Sequence, residues 1–134
     1  MVILKREEQP LKNPNDVVLA RQKVRQWAVD LRFTLVDQTK LVTAASELAR
    51  NALDHGQGGR MIIESLSTGA RTGLRLSFED QGPGIADIEQ ALKDGFTTGT
   101  GMGLGLGGSK RLVNEFSIES EIGKGTRVTV ARWR

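Results

Sequence analysis

Residues 94–116 read DGFTTGTGMGLGLGGSKRLVNEF. Seven of the 14 residues from Gly95 to Gly108 are glycine. Glycine has no side chain to bury, so a run this dense is not core packing. Inside a helix or strand each one costs roughly 0.5–1 kcal/mol relative to alanine. The returns that offset such a cost are unusual backbone angles, mobility, or bare N–H groups brought close to a ligand. A basic helix start, SKRLVNEF, follows at once. A glycine-rich turn running into a helix N-terminus favours an anion, and phosphate is the first expectation. The run divides in two. Gly95 to Gly101 is expected to move without ligand, and Gly103 to Gly108 to be fixed by the helix they begin.

Working outward, the pattern gives an order β-α-α-β-β-α-α-β-β. After the run a helix covers about 105–114, and two strands, FSIESEI (116–122) and TRVTVARW (126–133), flank the turn GKG. Before it, a short helix near 86–94 ends at Gly95. The strands RMIIESL (60–66) and LRLSFED (74–80) are joined by STGARTG. In the second of them Leu74, Leu76 and Phe78 share one face while Arg75, Ser77 and Glu79 share the other. That is a sheet with one covered and one wet face. A helix over 36–54, VDQTKLVTAASELARNALD, is ended by Gly56, Gly58 and Gly59. Another over about 16–31 is capped by Asn15 or Asp16 and carries Val17, Ala20, Val24, Trp27, Ala28 and Leu31 at helical spacing. Trp27 therefore reads as core. Val2–Arg6 forms a short first strand, followed by the proline-marked loop EEQPLKNPND. Tight strand–strand turns favour an α+β two-layer sandwich: a mixed, mostly antiparallel sheet with its helices on one face.

Composition narrows the classes. The 134 residues make one domain, 1–134, large enough for a core. There is no cysteine, which excludes disulfides and thiolate metal sites and fits the cytoplasm. No long apolar run spans a membrane, and MVILKREE is not a secretory signal. The net charge of +3 is spread along the chain and aromatics are only 4%, so nucleic-acid binding is not expected. No apolar stripe beyond the core faces singles out a subunit interface.

Three further features carry chemistry. On the helix over 36–54, Glu47, Asn51 and Asp54 fall within a roughly 60° arc beside the core-facing Leu41, Ala45, Leu48 and Ala52. A carboxylate and an amide oxygen one turn apart suit a hard cation such as Mg²⁺, a water, or a reacting hydroxyl. Taken alone, a solvated polar stripe accounts for the same pattern. In DQGPGI (80–85), Asp80 is in phase with Leu74, Leu76 and Phe78 and so turns toward the covered face. Gly82 and Gly84 allow a close backbone approach. A covered carboxylate must be hydrogen-bonded; it suits an exocyclic amine, and equally a tight turn capped by Asp. Finally, GLGLGG (103–108) matches G-x-G-x-x-G in form but lacks the preceding strand that a dinucleotide site needs, and GKGT (123–126) is not a Walker A loop.

In order, ELARNALDHG, DQGPGI, GTGMGLGLGGSKRL and GKGTRVTV resemble the N box, two glycine boxes and terminal G-T strand of the GHKL ATPase family, which includes gyrase, Hsp90, MutL and the histidine kinases. The resemblance runs from about residue 40 to the end. Within it the short chain is similar to the stand-alone anti-sigma regulatory serine/threonine kinases of the switch-kinase type. The resemblance implies a Bergerat ATP-binding fold using ATP and Mg²⁺. Asn51 matches the asparagine that coordinates Mg²⁺, and Glu47 the general base. Asp80 matches the residue that accepts from the adenine amine, Gly82 and Gly84 the close-approach glycines, and Gly101, Gly103, Leu104 and Gly105 the phosphate-facing second box. Thr126 matches a hydroxyl that assists at adenine. His55, the only histidine, is not a phospho-acceptor on this reading; it suits a helix C-terminus. Arg50 and Lys110 read as solvated. The lid between Ile85 and Gly101 is short, with Phe96 and Met102 its only apolar clamp, which implies a partly exposed nucleotide. The implied activity is phosphorylation of a STAS-type antagonist protein in a partner-switching pathway that regulates a sigma factor or a PP2C-type phosphatase. The alternative is a nucleotide-dependent binding protein, an anti-sigma factor or phosphatase activator, with little kinase activity.

Overall fold

Pro10 marks the first departure from the sequence reading. The computed structural model describes residues 1–55, 57–85 and 105–134, and in it strand β1 (Val2–Leu11) runs straight through the segment expected to be a loop. β1 is an edge strand, paired on one side only with β2 (Gly59–Ser67), Pro10 lying opposite Arg60. A residue without an N–H is tolerated at an edge, where a missing donor breaks no ladder on the outer side. The strand's inner end is anchored by the fully buried Leu11.

Helix α1 (Pro14–Asp30) is capped two to three residues earlier than the sequence suggested, by Asn13 and not by Asn15 or Asp16. The Asn13 Oδ1 accepts from the Asp16 N–H at 3.0 Å, and Asp16 Oδ2 accepts in return from the Lys12 N–H at 2.8 Å. Pro14 occupies the first turn, where its missing donor is harmless. Such a cap contributes about 1 kcal/mol. The apolar face buries Val17, Ala20, Val24, Trp27 and Ala28 as expected. The Trp27 ring is core, with Lys5 Nζ over it at 4.5 Å. Arg32 takes a positive φ of 65°, and the Phe33 N–H reaches back to the Ala28 carbonyl while that of Arg32 reaches Val29. This pairing satisfies the last carbonyls of α1 and delivers Phe33 into the core.

Helix α2 (Leu35–Asp54) starts on Thr34, whose hydroxyl accepts from the Asp37 N–H. It buries Leu41, Ala45, Leu48, Ala49 and Ala52 against the sheet. The small alanines let α2 lie close on its neighbours. Strands β3 (Thr72–Asp80), β4 (Glu115–Glu121) and β5 (Gly125–Trp133) complete a five-stranded sheet of order β1-β2-β3-β5-β4. The sheet was expected to be mostly antiparallel, and all four pairings among the described residues are antiparallel. Helix α3 (Gly105–Arg111) is shorter than the expected 105–114. Asn114 explains this: its N–H already donates to the Ala131 carbonyl, and its Oδ1 accepts from Trp133, so the chain has joined the sheet. The helix expected near 86–94 lies outside the described residues.

The core is a single layer between helices and sheet. Met61, Ile63, Leu74, Leu76, Phe78, Val128 and Val130 meet the apolar faces of α1 and α2. The opposite face is laced by cross-strand ion pairs, Arg75 with Glu64 at 2.9 Å and Arg60 and Arg127 with Glu79 at 2.8 and 3.4 Å. It is less wet than its alternation implied: Ile62, Leu66 and Ser77 are buried there too. Long arginine stems can cover apolar surface while their heads stay in water. Among the described residues no helix is long and apolar enough to cross a membrane.

Candidate functional site

Asp80 ends β3 in phase with Leu74, Leu76 and Phe78, and its carboxylate is half-buried, as the alternation required. One oxygen, Oδ1, accepts from the Gly82 N–H at 3.0 Å and from the Thr126 N–H at 3.2 Å. The first bond is the local turn that Asp-x-Gly makes by itself. The second comes from β5, 46 residues further on. Together they fix the plane of the carboxylate. Its second oxygen, Oδ2, takes no hydrogen bond among the described residues.

The loop after Asp80 is knitted to the β4–β5 hairpin. The Gly123 N–H donates to the Pro83 carbonyl at 2.8 Å, and the Ile85 N–H donates to Ser120 Oγ at 2.7 Å. Two glycines make the approach possible. A Cβ on Gly84 would lie 2.4 Å from the Glu121 carbonyl oxygen, and one on Gly125 would lie 2.1 Å from that of Asp80. Both also have positive φ, 83° and 88°, a region costly to any residue with a Cβ. Gly82, also expected to allow close approach, is buried and contributes its N–H to Asp80.

Helix α2 supplies the second half of the site. Glu47 and Asn51 are half-buried and Asp54 is exposed, beside the buried Leu48 and Ala52. The stripe thus lies at the core's edge. The side chains of Glu47 and Asn51 have no partner among the described residues. Past the C-cap His55, whose N–H donates to the Asn51 carbonyl, the Gly58 N–H closes the turn on Ala52. Gly59 then enters β2 directly opposite Asp80. The C-terminal end of the stripe and the Asp80 loop therefore share one end of the sheet. Arg50 and Lys110 are exposed, as expected.

Of the glycine run, Gly105 opens α3, which packs against α2 through the buried Leu106 and the bare Gly107 and Gly108. Gly101, Gly103 and Leu104 lie outside the described residues, as do the lid segment 95–101, Phe96 and Met102. No group of three or more His, Cys, Asp or Glu among the described residues forms a metal cage. Mg²⁺ keeps several waters and is commonly held by one or two protein oxygens together with substrate phosphates; the half-buried Asn51 amide, with the Glu47 carboxylate one turn away, offers oxygens of that kind.

A shallow groove of about 410 Å³ on the sheet's outer face, lined by Glu8, Pro10, Lys12, Gly59, Arg60, Glu79 and Gln81, is a weaker candidate. Three of its four charged side chains already pair with one another, Arg60 with both Glu8 and Glu79. The Arg60 guanidinium is raised above its ordinary value by its hydrogen bond to Glu79, so it stays charged and paired.

Sequence reasoning missed Ser120, which also lies beside Thr126. The signal was available: Ser120 is in phase with Phe116 and Ile118, the positions of β4 that pack on the core. A hydroxyl in that phase needs an internal partner.

A carboxylate at a strand end, a polar helix stripe ending at the same end of the sheet and a glycine-rich entry into a third helix mark a nucleotide-binding α+β sandwich. Residues 36–134 match the histidine kinase-, DNA gyrase B- and HSP90-like ATPase family, and the chain belongs to it. Over 118 residues it is 46% identical to the serine/threonine-protein kinase RsbT of Bacillus subtilis, covering 88% of this chain and 89% of that protein. It is 34% identical over 114 residues to the anti-sigma F factor of Geobacillus kaustophilus, covering 81% and 78% of the two chains. Among solved structures, the RsbU and RsbW domains of Rv1364c from Mycobacterium tuberculosis superpose with a TM-score of 0.66 at 21% identity. That match covers 97% of this chain and 33% of the larger one, and it establishes the shared fold.

Proposed function

We propose that this chain is an ATP- and Mg²⁺-dependent protein serine kinase. Its substrate is a small STAS-type antagonist protein in a cytoplasmic partner-switching pathway that regulates a sigma factor or a PP2C-type phosphatase. Residues 1–134 act in it as one ATPase domain. The observation that carries this reading is Glu47: a half-buried carboxylate, without a partner among the described residues, one turn before Asn51 on the helix that ends beside Asp80.

This reading gives each site residue a role, supported by the family match. Asp80 Oδ2 accepts from the amine of the adenine, while its Oδ1 is held by the two backbone N–H groups. Gly101, Gly103, Leu104 and Gly105 meet the phosphates with backbone N–H groups. Asn51 holds Mg²⁺, which when bound neutralises phosphate charge. Glu47 accepts the proton of the substrate serine as its oxygen attacks the γ-phosphorus in line. The new serine O–P bond forms as the bond to the β,γ-bridging oxygen breaks, and ADP leaves. Phosphoryl transfer depends mainly on positioning and charge neutralisation, so this small set of groups suffices.

The likeness to an anti-sigma F factor supports a second reading, in which bound ATP shapes a surface that sequesters a sigma factor or activates a phosphatase with little transfer. One experiment separates them. The purified chain is incubated with a STAS-type protein and γ-phosphate-labelled ATP. The kinase reading expects a labelled serine, lost in Glu47→Gln while nucleotide binding is kept. Partner capture that depends on ATP, with no label transferred by the unmodified chain, would replace it with the second reading.

A further inference from the structure

Ser120 has no role in the scheme above, yet three polar contacts converge on it. Its Oγ accepts from the Ile85 N–H at 2.7 Å, lies 2.7 Å from Thr126 Oγ1 and donates at 3.2 Å to the Gly125 carbonyl oxygen. A serine hydroxyl has one hydrogen to give and two lone pairs to receive. The Ile85 N–H takes one lone pair. The Gly125 carbonyl can only accept, so it takes the Ser120 hydrogen. The contact with Thr126 must then be filled by the Thr126 hydrogen on the second lone pair of Ser120. No other assignment satisfies all three contacts.

The consequence falls on Thr126. With its hydrogen committed to Ser120, its hydroxyl offers only lone pairs elsewhere. Thr126 is also the residue whose backbone N–H holds Asp80 Oδ1. Among the described residues the corner therefore presents two acceptors, Asp80 Oδ2 and Thr126 Oγ1, and no side-chain donor. Two acceptors match an exocyclic amine with its two hydrogens. They repel a carbonyl oxygen in the same place, because a buried acceptor facing an acceptor leaves both unsatisfied.

We propose that Ser120 is a positioning residue that sets purine selectivity. By holding the Thr126 hydroxyl as an acceptor, it makes the Asp80–Thr126 corner take a 6-amino purine and reject a 6-oxo purine. The inference rests on the nucleotide reading above and adds to it the residue that polarises the base corner. A merely structural Ser120 would weaken all nucleotides alike; a polarising one changes their ratio.

The test is calorimetric titration of ATP and of inosine triphosphate, with Mg²⁺ present, into the unmodified chain, Ser120→Ala and Ser120→Thr. The unmodified chain is expected to prefer ATP. In Ser120→Ala the Thr126 hydrogen is free to turn toward a 6-oxo group, so the preference falls by about five- to tenfold, the worth of one neutral hydrogen bond. Inosine triphosphate itself is not weakened. Ser120→Thr retains the hydroxyl and the preference. An unchanged ratio in Ser120→Ala, or equal losses for both nucleotides, overturns the inference while leaving the nucleotide site standing. Should Ser120→Ala not fold, Thr126→Val carries the same test: it removes the polarised hydroxyl but leaves the Ser120 bonds to Ile85 and Gly125. Its preference is expected to fall likewise, and an unchanged one overturns the inference. Failure of the unmodified chain to bind either nucleotide would instead overturn the site.

Discussion

The carboxylates of Asp80 and Glu47 are both half-buried, yet the chain holds them in opposite ways. Asp80 is clamped by two backbone N–H groups, one local and one from β5, and its loop is tied to the β4–β5 hairpin through Gly123 and Ser120. Glu47 and its neighbour Asn51 stand on a rigid helix but have no partners among the described residues. The Asp80 end, the base end on the proposed reading, is thus held by the chain's own backbone. On that reading the Glu47–Asn51 end, the phosphate end, is where the nucleotide phosphates, the cation and the substrate hydroxyl would bind. A group pre-bonded to its own protein is good for recognition, since it loses little freedom on binding. A general base cannot be saturated in that way, because it must take a proton.

The largest effect that would break this contrast is at Glu47. Glu47→Gln is expected to lower phosphoryl transfer by about 10²–10⁴-fold, the usual worth of a positioned general base, with ATP affinity within about threefold of the unmodified chain. Asn51→Ala is expected to abolish both transfer and the Mg²⁺-dependent part of ATP affinity. The readouts are initial rates of label transfer, and titrations with and without Mg²⁺. Transfer undiminished in both variants would remove the phosphate-end assignment.

Asp80→Asn comes next in size. It keeps an acceptor for Gly82 and Thr126 but sets an NH₂ against the base amine. A hydrogen bond to a charged group is worth about 1.5–3 kcal/mol, so ATP affinity is expected to fall about 10- to 100-fold. The loss should be the same with and without Mg²⁺, unlike that of Asn51→Ala. If the Asp80→Asn loss required Mg²⁺, the two ends would not be separable.

Gly84→Ala tests whether the base end is built in advance. Its added Cβ would strike the Glu121 carbonyl and its φ is positive. A destabilisation of about 1–3 kcal/mol is expected in urea unfolding of the nucleotide-free chain. A neutral result would mean that the loop is not locked to the hairpin before binding.

What the sequence could and could not reveal follows the same division. The phase of Asp80 was legible because a two-residue period needs only its own strand. The stripe of Glu47, Asn51 and Asp54 beside Leu48 and Ala52 was legible because a helix face is local too. The bond from Thr126 to Asp80 was not, since it depends on β5 lying next to β3 and on two glycines allowing the approach. Pro10 misled because proline punctuates most strands, and only an edge position makes it harmless. The cap of α1 was misplaced because Asn13, Asn15 and Asp16 are all good capping residues within four positions. Pro14 at the first turn was the cue that favoured Asn13.

The smallest expected effect lies away from both ends and serves as their control. Glu7 on β1 pairs with Lys23 of α1 at 3.1 Å and with Lys5 at 3.5 Å. The hydrogen bond from Lys23 is the main cause that holds its carboxyl below the ordinary value of 4.5. A carboxyl lowered in the folded state adds stability that is present above the unfolded value. That stability is lost as pH falls through the folded one. The chain is therefore expected to lose a little thermal stability on acidification below about pH 4.5, and Glu7→Gln should flatten that part of the profile. Because the pair is solvent-exposed, added salt should shrink the difference further. Neither ATP affinity nor its Mg²⁺ dependence at neutral pH should move in Glu7→Gln. If either did, β1 would be coupled to the site through β2 and Gly59, and the base end could no longer be treated as a unit set by β3, β4 and β5 alone.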